Sequence, residues 1–270
     1  MIKFRFGRIA MYGFLIVMTF VSLFPFYWML VSSTNSSSQI NSGKLSFGDQ
    51  LMVNFNNLTD QIDVARVFWN TSKIAILSTI FTLLICSLAG YAFEVFKSKA
   101  RDRVYVALLA TMMIPFAALM IPLFTMFAKA GLLNTHFAVI LPTVSGAFII
   151  FYFRQCTKVF PRELIDAARV DGVKEWKIFT FVYMPIMKSS YAAAFIIVFM
   201  ASWNAFLWPL IVLQSSELKT INLVLSGFIS AYTPDFGLIM IATVISTLPS
   251  LFIFFAMQKQ FVASMTGAVK

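Results

Sequence analysis

Charged residues are scarce in this sequence. Of its 270 residues, 12% are Asp, Glu, Lys or Arg, whereas soluble domains carry about 25%. With a hydrophobic share of 60%, this deficit assigns the chain to the membrane proteins. The net charge of +10 does not indicate nucleic-acid binding, because the basic residues lie between apolar stretches along the chain.

Side chains that usually carry chemistry are also rare. The chain has two cysteines, Cys86 in an apolar stretch and Cys156 in a basic loop, and one histidine, His136. The cysteines have no zinc-ligand spacing and form no disulfide framework, so both are predicted to be free thiols. His136 lies at the edge of an apolar stretch and is interpreted as an interfacial residue. No metal site is predicted.

Six charge-poor stretches are long enough to cross a bilayer. A hydrocarbon core of about 30 Å needs roughly 20 apolar residues in a helix. After their polar ends are trimmed, the predicted spans are 9–31, 73–93, 104–127, 136–153, 191–213 and 236–257. A further gap, 220–234, is too short and is rich in small polar residues, which predicts an interfacial or re-entrant segment. The sequence therefore predicts an all-α transmembrane fold in one domain, 1–270.

The interiors of the predicted spans contain no Asp, Glu, Lys or Arg. Ion-coupled transporters and pumps usually need ionisable groups at membrane depth, and an embedded enzyme needs a buried acid, base or nucleophile. The phosphate-binding pattern GxxxxGK[ST] is absent as well, so no ATP or other cofactor site is predicted in this chain. The energy for active transport would have to come from another polypeptide.

The distribution of Lys and Arg between the loops predicts the orientation. With the N-terminus inside, 16 of the 21 basic residues lie on the cytoplasmic side. The other 5 lie outside, at Lys44, Arg66, Lys73, Lys129 and Lys219. This asymmetry predicts that both termini are cytoplasmic. The first span follows basic residues as a signal peptide does, but its length and its aromatic end favour a membrane anchor.

Two of the spans carry polar faces. Thr243, Ser246, Thr247 and Ser250 share one face of the sixth span, at i, i+3, i+4, i+7 spacing. Ser78, Thr79, Thr82 and Cys86 do much the same on the second span. Close helix packing through small residues is the favoured interpretation. The alternative is a hydroxyl-lined cavity that hydrogen-bonds a polar solute.

Prolines and aromatic residues interrupt other spans. Pro115 and Pro122 are two turns apart and are predicted to share one face of the third span, as kinks beside a pathway or as static kinks. The fifth span ends in Trp203-Asn204-Ala205-Phe206-Leu207-Trp208-Pro209. Its tryptophans are interpreted as interfacial residues. Asn204 is expected to bond another helix or a solute, and the aromatic rings are candidates for stacking on a sugar.

The longest cytoplasmic loop, 154–190, is patterned. Pro161 suits the first position of a helix, and Gly172 suits a C-terminal cap, so a short helix is predicted over 161–172. A second helix, 174–184, is predicted to end at Pro185 and to lie on the membrane surface. Its apolar stripe consists of Trp176, Phe179, Val182 and Tyr183. The short helix suits a groove on a partner protein, and a solvated hairpin is the alternative.

This loop resembles the EAA motif of ABC importer permeases, which reads EAA, three residues, Gly, nine residues, then Ile-x-Leu-Pro. Here Asp166-Ala167-Ala168 is followed at the same spacing by Gly172 and by Val182-x-Met184-Pro185. Further segments are similar to the maltose-type, MalG-like carbohydrate permeases, namely Phe24–Trp28, Gly131–Thr135, Trp203–Pro209 and the tail Phe261–Lys270. The resemblance implies the six-helix core of a type I importer permease in the bacterial cytoplasmic membrane.

The resemblance also implies which residues act. The short helix would be a coupling helix seated in a cleft of an ATPase subunit. The residues implied to couple to the ATPase are Glu163, Asp166, Ala167, Ala168, Asp171, Gly172 and Pro185. The weaker candidates for the solute pathway are Trp203, Asn204, Phe206, Thr243, Ser246, Thr247 and Ser250. None of these residues is implied to be catalytic.

The implied partners are a second, different permease subunit, two copies of an ATP-binding subunit, and an extracytoplasmic solute-binding protein. ATP and magnesium would be bound by the ATPase. The chain would form half of a pathway for a sugar or oligosaccharide within the lipid bilayer. The main alternative is a glycerol-phosphate importer permease, ahead of an amino-acid importer permease. A secondary transporter and a membrane-embedded enzyme are disfavoured by the uncharged spans.

Overall fold

The computed structural model describes residues 2–265, with the side chains of residues 7–259. These residues are helical with short connections, and no strand occurs among them. The helices are α1 Ile2–Ser33, α2 Ser37–Asn41, α3 Leu51–Gln61, α4 Val64–Val95, α5 Lys99–Thr111, α6 Phe116–Lys129, α7 His136–Ile140, α8 Ala147–Lys158, α9 Arg162–Val170, α10 Glu175–Lys177, α11 Met184–Ile186, α12 Lys188–Trp203, α13 Leu207–Val212, α14 Ile221–Ile229 and α15 Phe236–Met265. The tail motif 261–270 lies outside the described side chains.

Three of the described helices are long and apolar enough to cross a membrane. They are Gly7–Ser33 within α1, Val64–Val95, which is α4, and Phe236–Lys259 within α15. Three bent helix pairs add further crossings if each pair is one span, which gives up to six in the described part of the chain. The pairs are Lys99–Thr111 with Phe116–Lys129, His136–Thr143 with Ala147–Lys158, and Glu175–Ile186 with Lys188–Trp203.

The third predicted span is not one helix. α5 and α6 meet at an angle of 102°, with the break between Thr111 and Phe116. Pro115 immediately precedes α6, and Pro122 lies inside it. Proline lacks an N–H and disfavours helical backbone at the residue before it, so the chain turns at this point. Both prolines belong to α6 and its N-cap, so their shared face concerns α6 alone and stays a prediction.

The break between α7 and α8 is hydrogen-bonded by α4. The Thr82 hydroxyl donates to the carbonyl of Thr143 at 3.1 Å. The Cys86 thiol lies 3.5 Å from the carbonyl oxygen of Val144 and 3.7 Å from that of Gly146. Carbonyls freed at membrane depth need partners inside the protein. Part of the polar face of α4 therefore satisfies the neighbouring backbone.

The described residues fall into two compact units. One contains Arg66–Leu223 and the residues from Pro249 onward. The other contains the residues up to Ala65 together with Val224–Leu248. In the larger unit the backbones of α4 and α8 approach closely at Gly90. A Cβ added to Gly90 would lie 2.7 Å from the Phe153 Cβ and 2.8 Å from the Arg154 nitrogen.

The smaller unit is organised by polar groups around the start of α15. The Asp235 carboxylate accepts hydrogen bonds from the Ser37 hydroxyl at 2.9 Å and from the Gly237 N–H at 3.1 Å. The buried Asn54 amide donates to the carbonyls of Ser33 and Asn35, at 2.9 and 3.0 Å. These bonds join α1, α2 and α3 to the N-terminal end of α15.

The predicted interfacial segment 220–234 contains α14. This helix has nine residues, so it is too short to cross a bilayer. Ile221 and Leu223 are buried, whereas Ile229 and Tyr232 are exposed. The segment is therefore anchored at its first turn.

Substitution of Gly90 tests the close approach of α4 and α8. We expect Gly90→Ala to lower the free energy of unfolding by about 1–3 kcal/mol, because backbone atoms of α8 cannot move aside. Thermal unfolding in detergent measures the effect. Gly227→Ala in α14 is the control, since a Cβ there meets nothing within 4 Å. Equal melting temperatures for the two variants would contradict the packing described.

Candidate functional site

The helix α9 lies at the centre of the long patterned loop, residues 154–190. Pro161 precedes it with extended backbone, and Glu163 lies in its first turn. Gly172 ends it in the left-handed region, at φ 73°. The Gly172 N–H donates to the Arg169 carbonyl and the Val173 N–H donates to the Ala168 carbonyl, both at 3.0 Å. This pair of bonds is a Schellman cap, so the helix that the sequence predicts over 161–172 is present as nine residues with flanking caps.

The two faces of α9 differ in their surroundings. Ile165 is buried and Ala168 is half-buried, in a cluster with Tyr91 of α4. Ala167 and Val170 lie on the opposite face and are exposed. The resemblance implies that both Ala167 and Ala168 allow a partner to approach closely. Only Ala167 lies on the exposed face.

Charged groups hold the C-terminal half of α9. The Arg169 Nε donates to the Glu175 carboxylate at 2.6 Å, and its Nη1 lies 3.3 Å from the Asp166 carboxylate. The Tyr91 hydroxyl donates to the second oxygen of Glu175 at 3.4 Å. The hydrogen bond to Glu175 raises the pKa of Arg169 above its ordinary value. Asp166 is thus paired within the loop, whereas Glu163 and Asp171 are exposed.

The second helix of the loop differs from the prediction. The segment Glu175–Ile186 continues through Pro185 and then bends by 82° into α12. Its middle, Ile178–Tyr183, is π-helical, and this wider turn relieves the clash that a proline ring makes with the preceding turn. The sequence predicts that the helix ends at Pro185, but in the structure Pro185 lies inside the helical segment, which ends at Ile186.

The apolar stripe of this segment points mainly into the protein. Phe179 and Tyr183 are buried, with ring centroids 5.3 and 4.9 Å from that of Tyr91. Trp176 of the stripe is exposed. The prediction that the whole stripe lies on the membrane surface is wrong for Phe179 and Tyr183, because the aromatic ring of Tyr91 on α4 covers them.

A cavity of about 240 Å³ lies beside α4 in the larger unit. It is lined by Ile74, Ser78, Thr82, Val139, Thr143, Phe148, Ile149, Ile197, Val198, Ala201, Ser202 and Ala205. None of these lining residues is charged, and four of them carry hydroxyls. The Ser78 side chain is fully buried, and its oxygen has no hydrogen-bond partner within the described structure. The cavity therefore offers polar groups on an apolar wall.

The aromatic candidates near the end of the fifth span are core residues. Trp203 is 1% exposed, stacks on Phe199 at 5.6 Å and meets the edge of Phe68 at 5.6 Å. The buried Trp208 donates its indole N–H to the Ala138 carbonyl at 2.8 Å. The interpretation of these tryptophans as interfacial residues is wrong, because neighbouring helices enclose them. Phe206 is half-buried and packs against the cluster that contains Trp208.

The Asn204 side chain bonds within its own helix, and a contact with the solute stays a prediction. Its amide donates to the Met200 carbonyl at 2.8 Å, within its own helix, and the residue is exposed. This bond caps the C-terminus of α12. The Asn204 amide therefore bonds its own helix, and not another helix as expected.

The hydroxyl face of the sixth span is bonded largely to its own backbone. Thr243 donates to the Ile239 carbonyl at 2.7 Å, and Thr247 donates to the Thr243 carbonyl at 2.8 Å. Ser246 is buried and Ser250 is half-buried. These bonds agree with the packing interpretation, and a pathway role for this face stays a prediction.

Sequence reasoning missed part of the cavity and the burial of one acidic residue, Glu94. Phe148, Ser202 and Thr143 line the cavity with the predicted Ser78 and Thr82. Ser202 lies between Ala201 and Trp203, and this local sequence gave no distinctive signal for a cavity. Glu94, at the end of α4, is 1% exposed. The sequence did contain a signal for this buried residue, because Glu94 is an acidic residue directly after the predicted span 73–93.

Comparison with known proteins gives the class of protein that this fold defines. A crystal structure of a bacterial ABC transporter involved in import of the acidic polysaccharide alginate contains a similar chain, with a TM-score of 0.85. The match covers 95% of this chain and 97% of that chain at 20% identity, and it shows the type I ABC importer permease fold. Residues 87–267 match the family described as binding-protein-dependent transport system inner membrane components.

Relatives in sequence extend the match along the chain. The lactose transport system permease protein LacG of Rhizobium radiobacter is 57% identical over 98% of this chain and 97% of its own length. The arabinooligosaccharides transport system permease protein AraQ of Bacillus subtilis is 34% identical over 99% of this chain and 98% of its own. The chain belongs to the family of binding-protein-dependent transport system inner membrane components. It is a multi-pass membrane permease subunit and not an enzyme, and the resemblance found in the sequence is confirmed.

Substitution of Gly172 tests the cap of α9. A Cβ at this position meets nothing within 4 Å, so only the positive φ opposes a side chain. We expect Gly172→Val to cost about 1–2 kcal/mol of stability, because β-carbons disfavour left-handed backbone. Gly172→Asn should cost less, since Asn tolerates this region. Limited proteolysis of the loop, compared between the two variants, measures the difference, and equal cleavage would contradict the strain.

Proposed function

We propose that this chain is one of two different permease subunits of an ATP-driven importer and forms half of the pathway for a neutral sugar or oligosaccharide. The observation that carries the proposal is the arrangement of α9. One face of this helix is held inside the protein through Ile165, and Ala167 and Val170 on the other face are exposed. A pinned helix with a small-residue outer face suits a groove on a partner.

The partner in that groove is one of two ATPase subunits, which bind ATP and magnesium. Closure of the ATPases displaces α9, and the spans alternate between inward-facing and outward-facing states. A ligand drives such a change only through contacts that differ between the two states. An extracytoplasmic binding protein delivers the solute, and both termini of this chain are cytoplasmic. Glu163 and Asp171, exposed at either end of α9, offer carboxylates to the ATPase.

The cavity beside α4 supports a neutral solute. Its lining offers hydroxyls and an exposed aromatic ring, Phe148, but no cation. Recognition of a phosphate group favours Arg or Lys, so the cavity suits a sugar better than glycerol phosphate. The relatives named for lactose and arabinooligosaccharides support the same class of solute.

Ala167 tests the coupling contact. We expect Ala167→Arg to lose co-purification of the ATPase in mild detergent while the second permease subunit is retained, because a long charged side chain blocks the groove. Ala100→Arg is the matched control, since Ala100 is also an exposed helical alanine, in the first turn of α5. The proposal for α9 fails if both variants keep the ATPase. A wild-type chain that takes up sugar without ATP would instead support a secondary transporter.

Ser78 tests the solute contact. Removal of a buried hydroxyl without a partner usually leaves stability unchanged or raises it. If the Ser78 hydroxyl bonds the passing sugar, Ser78→Ala should lower uptake roughly 5- to 30-fold, as loss of a hydrogen bond of about 1–2 kcal/mol predicts. Ser87→Ala is the matched control on α4, because Ser87 donates to the Leu84 carbonyl and does not line the cavity.

The two variants are compared in proteoliposomes that hold the whole transporter. Uptake of labelled lactose, an arabinooligosaccharide and glycerol 3-phosphate is measured for each. Equal uptake by Ser78→Ala and the wild type would show that the cavity is a packing defect between helices and not a binding site for the solute. Uptake of glycerol 3-phosphate alone would overturn the choice of a neutral sugar.

A further inference from the structure

The described part of the chain contains one buried acidic residue, Glu94. It lies in the last turn of α4, where the negative end of the helix dipole disfavours a carboxylate. Burial of an ionised group is also costly unless it is paired. Local structure therefore opposes a glutamate at this position, and the compensation has to come from its neighbours.

Three cations surround the Glu94 carboxylate. The Lys97 ammonium lies 2.5 Å and the Arg162 guanidinium 2.7 Å from Oε1, and the Arg154 Nε lies 3.4 Å from Oε2. Arg162 also lies 3.4 Å from the Glu94 carbonyl. Arg162 is the first residue of α9, and Arg154 lies on α8. One carboxylate thus joins the start of the coupling helix to two helices of the membrane region.

Arg154 is fixed in place by further contacts. It is 8% exposed, its Nη2 lies 2.8 Å from the Asp102 carboxylate of α5, and its guanidinium carbon lies 3.9 Å from the centre of the Tyr105 ring. A buried guanidinium with these partners does not leave its site at low cost. Arg154 is therefore the permanent partner of Glu94.

Arg162 and Lys97 are placed differently. Their side chains are 52% and 47% exposed, so water can solvate either of them when it separates from Glu94. In contrast, the carboxylate stays buried with Arg154 in either case. The pair of Arg162 and Glu94 can therefore open and close with the position of α9, without leaving the buried charge unpaired.

We propose that Glu94 is a positioning residue that transmits movement of α9 to the cytoplasmic ends of α4 and α8 through Arg162. Displacement of α9 opens or tightens the contact between Arg162 and Glu94, and Arg154 passes the change to α5 and α8. This inference rests on the proposed coupling function. It concerns how the force enters the spans, and not how the ATPase binds.

The test uses the complete transporter in proteoliposomes, with variants Glu94→Gln, Arg162→Gln and the double variant. ATPase co-purification, ATP hydrolysis and uptake of labelled lactose, or of whichever sugar the wild type carries, are measured together. We expect normal co-purification, continued ATP hydrolysis, and a fall in sugar moved per ATP of roughly 5- to 150-fold, the range of typical coupling between sites. The double variant should lose no more than Glu94→Gln alone, because the contact between Arg162 and Glu94 is already absent in that variant.

Arg103→Gln is the matched control, an exposed cytoplasmic arginine on α5, and it should leave sugar moved per ATP unchanged. Arg162→Lys should restore part of the coupling. If Glu94→Gln does not assemble, the Arg162→Gln variant alone tests the inference. In that variant Arg154 still pairs with the buried Glu94 carboxylate, so the transporter should assemble. Unchanged sugar per ATP in Arg162→Gln, or additive losses in the double variant, would overturn the inference. The wild type must couple uptake to ATP in the same experiment, and its failure to do so would refute the proposed function instead.

Discussion

The membrane region depends on one constraint, which is that backbone polar groups at apolar depth need hydrogen-bond partners within the protein. Unbroken helices such as α4 meet it internally, but breaks do not. At the break between α7 and α8, Thr82 and Cys86 of α4 reach the freed carbonyls. The Asn134 side chain similarly accepts hydrogen bonds from the N–H groups of Gln214 and Ser215, at 3.0 and 2.9 Å. Interrupted spans are stable here because neighbouring side chains replace the missing helical bonds.

The loop that contains α9 is likewise held in place by contacts with other parts of the protein. α9 is short and could not persist alone, since isolated helices of this length are marginal in water. It is held at its start by Arg162, at its centre by Ile165 and at its end by the pair of Arg169 and Glu175. All three contacts lead to α4 or to residues packed on it. These contacts tie α9 to α4 at both ends and at its centre.

Features encoded by a few adjacent residues could be predicted from the sequence. Gly172 ends α9 as expected, because a left-handed cap depends on one residue and its backbone. The membrane class and the family followed from apolar runs and from the spacing of the loop motif. Features set by distant contacts could not be predicted. The sequence cannot show that Trp203 is enclosed by Phe199 and Phe68, or that Ala167 and Ala168 lie on different faces of a packed helix.

Glu94 is the clearest case of this limit. Lys97 is a local partner only 3 positions away, but Arg154 and Arg162 lie 60 and 68 positions along the chain, so only folding brings these two to the carboxylate. The second helix of the loop is similar, because Pro185 ordinarily ends a helix. Here the π-helical turn before it changes that outcome. In both cases the local rule is broken, and compensation comes from groups that the local sequence does not reveal.

The uncharged lining of the cavity has an electrical consequence. Moving one elementary charge across a membrane involves about 2.3 kcal/mol for each 100 mV of potential. If the solute is a neutral sugar, as proposed, its transfer involves no such term, so the membrane potential neither assists nor opposes its passage. The work of an importer of this kind is then set by the concentration ratio of the sugar alone. Such uptake would continue unchanged in a cell whose membrane had been depolarised, as long as ATP remained.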